Sequence, residues 1–322
     1  MPLTTLLDVQ RLRNSDVEVG IIQENTAGAP ELAILPVRSI AGTSYRTTVV
    51  SGQSGGGFRT ANAGVSLGKP TYEQRLVECF LYEHPMELDV ATQMASMGDS
   101  VADLETIEMQ QAALTLMQKA GRQIFYGTAN DPLGFSGLKQ FVPKTAVAGS
   151  SAFFVDATGS TASTASSVYA VRAGIKDVHV VLGGGSGLNF GEFMDQQLTD
   201  ANGKKFMGRV AGLTSWIGLQ IGSVNSVGRI GNLTAQSGKT LTDALLAQLF
   251  SQFPTGLKPT HIFMSRRSAF QLASSRPKTV YFTPGVQNVA GGTVATSDYV
   301  VADYLGVPVI VTDQILDTDT IE

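Results

Sequence analysis

The sequence predicts an α+β chain, built of extended strands around one unusually long helix. Three observations predict it. A β-branched segment, SYRTTVV (44–50), and an alternating one, TYEQRLVECFLYEHPMEL (71–88), flank a connection rich in Gly, Ser and Asn, so together they read as a long hairpin. Apolar residues then recur at threes and fours from Val101 to Ile124, the pattern of one helical stripe. Beyond residue 240, helix-like and strand-like segments mix without the regular strand–helix–strand repeat of a parallel sheet.

Taken in order, residues 1–40 form an arm. Leu3 to Leu12 is amphipathic, and Pro30 and Pro36 discourage a helix in AGAPELAILP. Residues 41–84 form the extended loop. On its second strand Tyr72, Leu76, Phe80 and Tyr82 share one face, with Glu73, Arg75 and Glu83 on the other at period two. Residues 85–142 carry the long helix, expected over about 100–126, with Asp99 or Ser100 as cap and Ser100/Asp103 at capping-box spacing. Its stripe is Val101, Leu104, Ile107, Gln111, Leu114, Met117, Gly121 and Ile124. Glu105 at its start and Lys119 and Arg122 near its end suit the helix dipole. At about 1.5 Å per residue it is a rod of roughly 39 Å. It stops at GRQIFYGTANDPLGFSGL (121–138), where Gly127 is placed as the residue after the last turn and Asp131, preceding Pro132, is biased to an extended shape. Phe125 and Tyr126 are expected to pack beneath that turn.

Residues 143–239 read as a β-rich inserted or elaborated region. AVAGSSAFFVDATGSTASTASS is expected as a surface loop or hairpin. Asn202-Gly203 marks a tight hairpin, and glycines are expected to break SWIGLQIGSVNSVGRIGNL into short strands. In residues 240–322, TLTDALLAQLFSQF is a capped amphipathic helix, KPTHIFMS a strand, SRRSAFQLASSR a second helix, and DYLGVPVIVTDQI a turn and strand.

Composition bounds what such a chain does. Charged residues make up only 16%, against roughly 25% in ordinary soluble domains, and the 35 glycines exceed the usual ~7%. That fits a surface covered by something other than water, as in self-assembly, and it also fits a chain of Gly-rich loops. The net charge of −4 and the lack of a basic block argue against a nucleic-acid reader. No apolar run approaches the ~18 residues of a membrane span, and no basic start precedes an apolar core as in a secretory signal. The single cysteine, Cys79, excludes an internal disulfide framework and a thiolate zinc cluster.

The chemical motifs lead nowhere. LGGGSGLNF (182–190) lacks the Gly-Lys-Ser/Thr end of a phosphate cradle. Gly134-Phe135-Ser136-Gly137-Leu138 departs from the nucleophile elbow at its last residue and follows a helix, not a strand. His84, His179 and His261 sit in no metal-binding spacing, and Cys79 lies among apolar residues as a structural thiol does. Asp317, Asp319 and Glu322 are a fragment of an acidic metal loop at most, and read more simply as a solvated terminus. No cofactor, metal or catalytic residue is expected. A serine hydrolase using Ser136 with a distant histidine is the weakest of the functional readings.

The order of elements resembles the major capsid proteins of tailed bacteriophages, of the Hong Kong 97-like fold. The residues that carry the resemblance are the run into GRQIFYGTANDPLGFSGL, the segment TLTDALLAQLF…KPTHIFMSRRSAFQLASS, and GVPVIVTDQI. It implies an N-terminal arm, an extended loop, a peripheral domain with a spine helix, and an axial domain with a return strand to the peripheral domain. It implies pentamers and hexamers of the chain itself, a portal protein at one vertex, possible decoration proteins, and packaged double-stranded DNA without sequence-specific contact. Met1 leads directly into the arm, which implies a separate scaffolding protein. Phe58, Arg59, Lys69, Glu73, Arg75 and Glu83, on or beside the loop, are the expected subunit contacts. A bacterial nanocompartment shell of the encapsulin kind shares the fold and is the alternative.

Overall fold

The computed structural model describes residues 28–96, 104–147, 149–185, 187–200, 202–276 and 303–322. In chain order these contain α1 (Pro30–Ile34), β1 (Val37–Ser39), β2 (Ser44–Gly52), β3 (Thr71–Glu78), β4 (Phe80–Asp89), α2 (Val90–Ser96) and the long helix α3 (Leu104–Tyr126). A 3-10 turn (Gly127–Ala129) and α4 (Leu138–Phe141) follow. Then come β5 (Phe154–Asp156), β6 (Ser166–Val171), β7 (Val178–Leu182), β8 (Leu188–Phe190), β9 (Met194–Thr199), β10 (Lys205–Ile221) and β11 (Val227–Leu233). The last elements are α5 (Asp243–Gln252), β12 (His261–Met264), α6 (Arg266–Ser275), β13 (Asp303–Tyr304) and β14 (Val307–Val311). The expected caps at Asp99, Ser100 and Asp103, Val101 of the stripe, and the amphipathic piece Leu3–Leu12 lie outside the described residues.

Two six-stranded sheets organise the body. The first runs β1-β7-β10-β4, with β8 and β9 also pairing β10; the second runs β13-β14-β12-β6-β11-β5. Helix α3 covers one face of the first sheet. Leu104, Ala112, Leu116 and Ile124 meet Met86, Leu88, Ala211 and Leu213 there in one apolar cluster. Phe125 reaches across to the second sheet, 5.3 Å from the Tyr169 ring and 5.8 Å from the Phe263 ring, rather than packing beneath the turn. A second cluster joins α5 and α6 to the far face of that sheet through Leu246, Leu249, Leu272 and Ile262.

Several expectations change for identifiable reasons. Pro30 opens a short helix instead of preventing one, because a first-turn proline loses no helical hydrogen bond. The middle of α3 is turned from the expected stripe: Ala112 and Leu116 are buried, whereas Gln111 and Met117 are exposed. Near its C-terminus α3 is enclosed on all sides, so period alone could not choose the face there. Strand β10 runs unbroken for 17 residues despite its glycines. Gly218 lies where the backbone of Glu78 and Cys79 crosses, and Gly208 lies under Leu198, so these glycines admit neighbours instead of ending the strand. Residues 143–239 are β-rich but do not stand apart. Strands β5, β6 and β11 join the second sheet and β7 to β10 join the first. The segment expected as a surface loop holds β5 and runs into the start of β6, where Ser166 and Ser167 are buried.

Candidate subunit-contact site

The hairpin β2–β3 pairs only with itself, from Ser44 opposite Glu78 to Gly52 opposite Thr71. An isolated two-stranded ribbon is marginal in water, so something must hold it. Its base is held. Val77 and Cys79 pack on Val181, flanked by Ile40, Tyr45 and Trp216. The Tyr45 hydroxyl donates to Gln220 Oε1 and lies 3.3 Å from His179 Nε2. The Arg38 guanidinium stacks 4.9 Å from the Tyr45 ring centroid. Burial, and then the charge of Arg38, hold the His179 imidazole below its ordinary pKa, so it is neutral at neutral pH. The tip has no such support: Phe58 and Leu67 are fully exposed.

The expected contact residues fall into three places. Phe58, Arg59 and Lys69 lie on the exposed tip, where Arg59 Nη1 donates to the Ala63 carbonyl at 3.2 Å. Glu73 is exposed on the hairpin shaft opposite Val49. Arg75 is half-buried, and its Nη1 donates to the Gly222 carbonyl of the same chain at 3.3 Å. Glu83 lies beyond Cys79 on β4, opposite Thr214 of the first sheet. The single apolar face drawn through Tyr72, Leu76, Phe80 and Tyr82 is broken at Cys79. Tyr72 and Leu76 are exposed while Val77 and Cys79 are buried; after Cys79 it is Phe80 and Tyr82 that turn inward. The alternation Glu83-Pro85-Glu87 carried the signal for a further exposed acid, Glu87, that the sequence reading did not single out.

The stop after α3 is a packing device. Gln123 Nε2 donates to the carbonyls of Phe135, at 2.8 Å, and Asp131, at 3.2 Å, while Asn130 Nδ2 donates to Gln123 Oε1 at 2.9 Å. Gly127 has φ +55°, and a methyl group on either Gly127 or Gly137 would collide with the other's backbone. These contacts account for the elbow-like glycines around Ser136, which is exposed. His179 lies under the hairpin base and His261 against Thr260, so the structure shows neither beside Ser136.

The segment read as a solvated terminus is instead an ionic clamp. Arg229 is 1% exposed, and its Nη1 and Nη2 bind the Glu322 carboxylate at 2.9 and 3.1 Å. Lys139 Nζ holds Asp319 at 2.6 Å, and Ser265 donates to Asp317 at 2.6 Å. Burial raises the Glu322 pKa, but Arg229 and Lys139 outweigh it and hold the carboxyl below its ordinary value. Among the described residues no group of three or more His, Cys, Asp or Glu could hold a metal, and no helix is long and apolar enough to cross a membrane.

Two sheets, a spine helix packed on one of them, and a hairpin clasped at its base with an uncovered tip define a shell-forming chain of the Hong Kong 97-like fold. The family profile of major capsid protein GP7 matches residues 34–321, and the chain belongs to this family of major capsid proteins. It is a component of the virion and assembles with copies of itself. No curated protein matches it in sequence. Among solved structures it is similar to a chain of bacteriophage epsilon15, with a TM-score of 0.72 and 16% identity over 99% of this chain and 97% of that one. That likeness is one of fold. The SrpI encapsulin of Synechococcus elongatus aligns at 0.49 and 8% over 73% and 98% of the two chains, and the capsid of phage XM1 at 0.44 and 10% over 68% and 97%.

Proposed function

We propose that the chain forms the icosahedral head around packaged double-stranded DNA, as pentamers and hexamers with a portal at one vertex. A separate scaffolding protein directs assembly in the host cytoplasm, and the role of the chain is structural, without catalysis. The observation that carries this reading is the hairpin. Its base is fixed to the body while Phe58 and Leu67 at its tip have no cover, so a second subunit is the natural place to bury them. The net charge of −4 suits a shell that DNA is driven into, rather than one that gathers it by basic tails. Electron microscopy of the chain expressed with its neighbouring head genes tests the reading: closed, empty-centred shells are expected. A protein that stays a small soluble species under every such condition would overturn it. Shells that enclose a co-expressed enzyme instead of accepting a portal would assign the fold to a nanocompartment.

A further inference from the structure

A cavity of about 580 Å³ lies between the last turns of α3, the edge strand β4 and the turn at 130–135. That is within the size range of small-molecule sites, roughly 300–1,000 Å³. Lys119 and Arg122, three residues apart, line it from one side of α3. Tyr82 lines it from β4, and Lys119 Nζ lies 6.0 Å from the Tyr82 ring centroid. The Tyr82 hydroxyl and Arg122 Nε are both buried, and neither has a hydrogen-bond partner among the described residues. Burying such groups without a partner costs free energy, which a ligand that accepts from them would restore. Much of the remaining lining is apolar or already committed. Phe80, Phe135 and Ile217 supply an apolar wall, while Gln123 and Asn130 are held in the turn by their hydrogen bonds to each other and to Asp131. Those bonds fix the turn, so the cavity is preformed. Two acids also line it, Glu83 and Asp131, and both are exposed; Asp131 Oδ1 accepts from the Leu133 amide at 3.0 Å. The unpartnered donors thus lie deeper than the acids. Exposed acids repel a long polyanion, whereas the donors behind them suit one discrete anionic group.

We infer that this cavity is a binding site for a small organic anion. Its carboxylate or phosphate head is held by Arg122, Lys119 and the Tyr82 hydroxyl, and its compact apolar body lies against Phe80, Phe135 and Ile217. The planar guanidinium fork of Arg122 matches either head, and the Tyr82 O–H gives it a third direction of donation. Lys119, which is exposed, adds charge at the mouth. A ligand seated there touches both α3 and β4, so it binds the folded subunit and stabilises it by mass action. The site needs only the subunit and does not depend on the proposed shell.

The test uses the unassembled full-length chain, with binding read by isothermal titration calorimetry and by the melting temperature. The probes are phenyl phosphate, benzoate and inorganic phosphate. Phenyl phosphate or benzoate at about tenfold excess over its Kd should raise the melting temperature by about 2 °C or more. The tighter of the two assigns the head group, and inorganic phosphate, which lacks an apolar body, should bind more weakly than phenyl phosphate. Arg122→Gln should weaken the better probe about tenfold or more, and Tyr82→Phe about threefold to tenfold through the lost hydroxyl. Glu83→Gln should leave binding unchanged or tighten it. If Arg122→Gln does not fold, Tyr82→Phe, which removes a single oxygen, still decides. Failure of both organic probes to bind at about 10 mM, or equal binding by the wild type and Tyr82→Phe, would overturn the inference. Duplex DNA that binds through Arg122 while the small probes do not would also overturn it and give the cavity to a nucleic-acid phosphate.

Discussion

Glu31 carries a carboxyl group into a site that water does not reach. It lies on α1 against Gly121 of α3, and Thr312 donates to its Oε2 at 2.8 Å, while Oε1 has no partner. Burial, reinforced by the nearby Asp313, pushes its pKa up to about 6 against its own amide and Thr312. A raised acid pKa favours the folded state where the group is protonated. That contribution is therefore complete below about pH 4.5 and lost as pH rises through about 6. We expect Glu31→Gln to stabilise the subunit by about 2 kcal/mol at pH 7.5 and to flatten the pH dependence of its melting temperature between pH 4.5 and 6. A wild-type profile already flat across that window would contradict this. Arg229 works in the other direction. Its partner Glu322 has a lowered pKa, so the clamp is present at neutral pH and lost in acid as pH falls through the depressed value. Arg229→Leu leaves the partly exposed Glu322 carboxylate with Lys139 alone, 3.3 Å away, and should cost about 1.5–3 kcal/mol in denaturant unfolding at pH 7. Neither residue was legible in the sequence, because each matters through partners roughly ninety or more positions away.

Helix α3 shows how much an element's period can say. Its existence and its stop at Gly127 follow from local signals: periodicity, the end residue, and the Asn130-Asp131-Pro132 turn. Its buried side does not, because a second layer encloses the C-terminal turns and removes the contrast between faces. Leu116 is 6% exposed and Met117 51%. Leu116→Ala should therefore destabilise the subunit by about 2–5 kcal/mol, and Met117→Ala by less than about 0.5 kcal/mol as a surface change. Equal losses in thermal unfolding would mean that the helix is rotated from the position described. Gly127→Ala should cost more than about 1 kcal/mol, since φ +55° and the close approach of Gly137 both oppose a side chain. The hairpin was legible as two strands and a loose tip for the same local reason. The break at Cys79 was not, because nothing in period two announces that the chain leaves one sheet and enters another.

At the scale of the whole molecule, the described residues form a packed body from which the β2–β3 hairpin projects. The body is over-determined: two apolar clusters, a long strand shared by four neighbours, and the Arg229 clamp tie its halves together. Among the described residues nothing covers Phe58 or Leu67 at the tip of the hairpin. The hairpin, the long helix and the final strands were readable at the start because each carries a local signature, whereas Val37–Ser39, read as part of an arm, pairs with β7 in the first sheet. How residues 143–239 weave into both sheets was not, since strand pairing over such distances leaves no local trace. The account places assembly in the tip, and its charges and apolar groups are weak singly and effective only by repetition around a closed shell. Raising salt should then lower shell yield, because exposed charge pairs are screened over about 8–10 Å. The most direct test is to replace residues 53–70 with a two-residue Asn-Gly turn and to compare sedimentation of the shortened and wild-type chains under identical assembly conditions. The account expects the wild type to sediment as closed shells, and the shortened chain to remain a folded subunit with an unchanged melting temperature and no shells. Shells of normal size and yield from the shortened chain would contradict it.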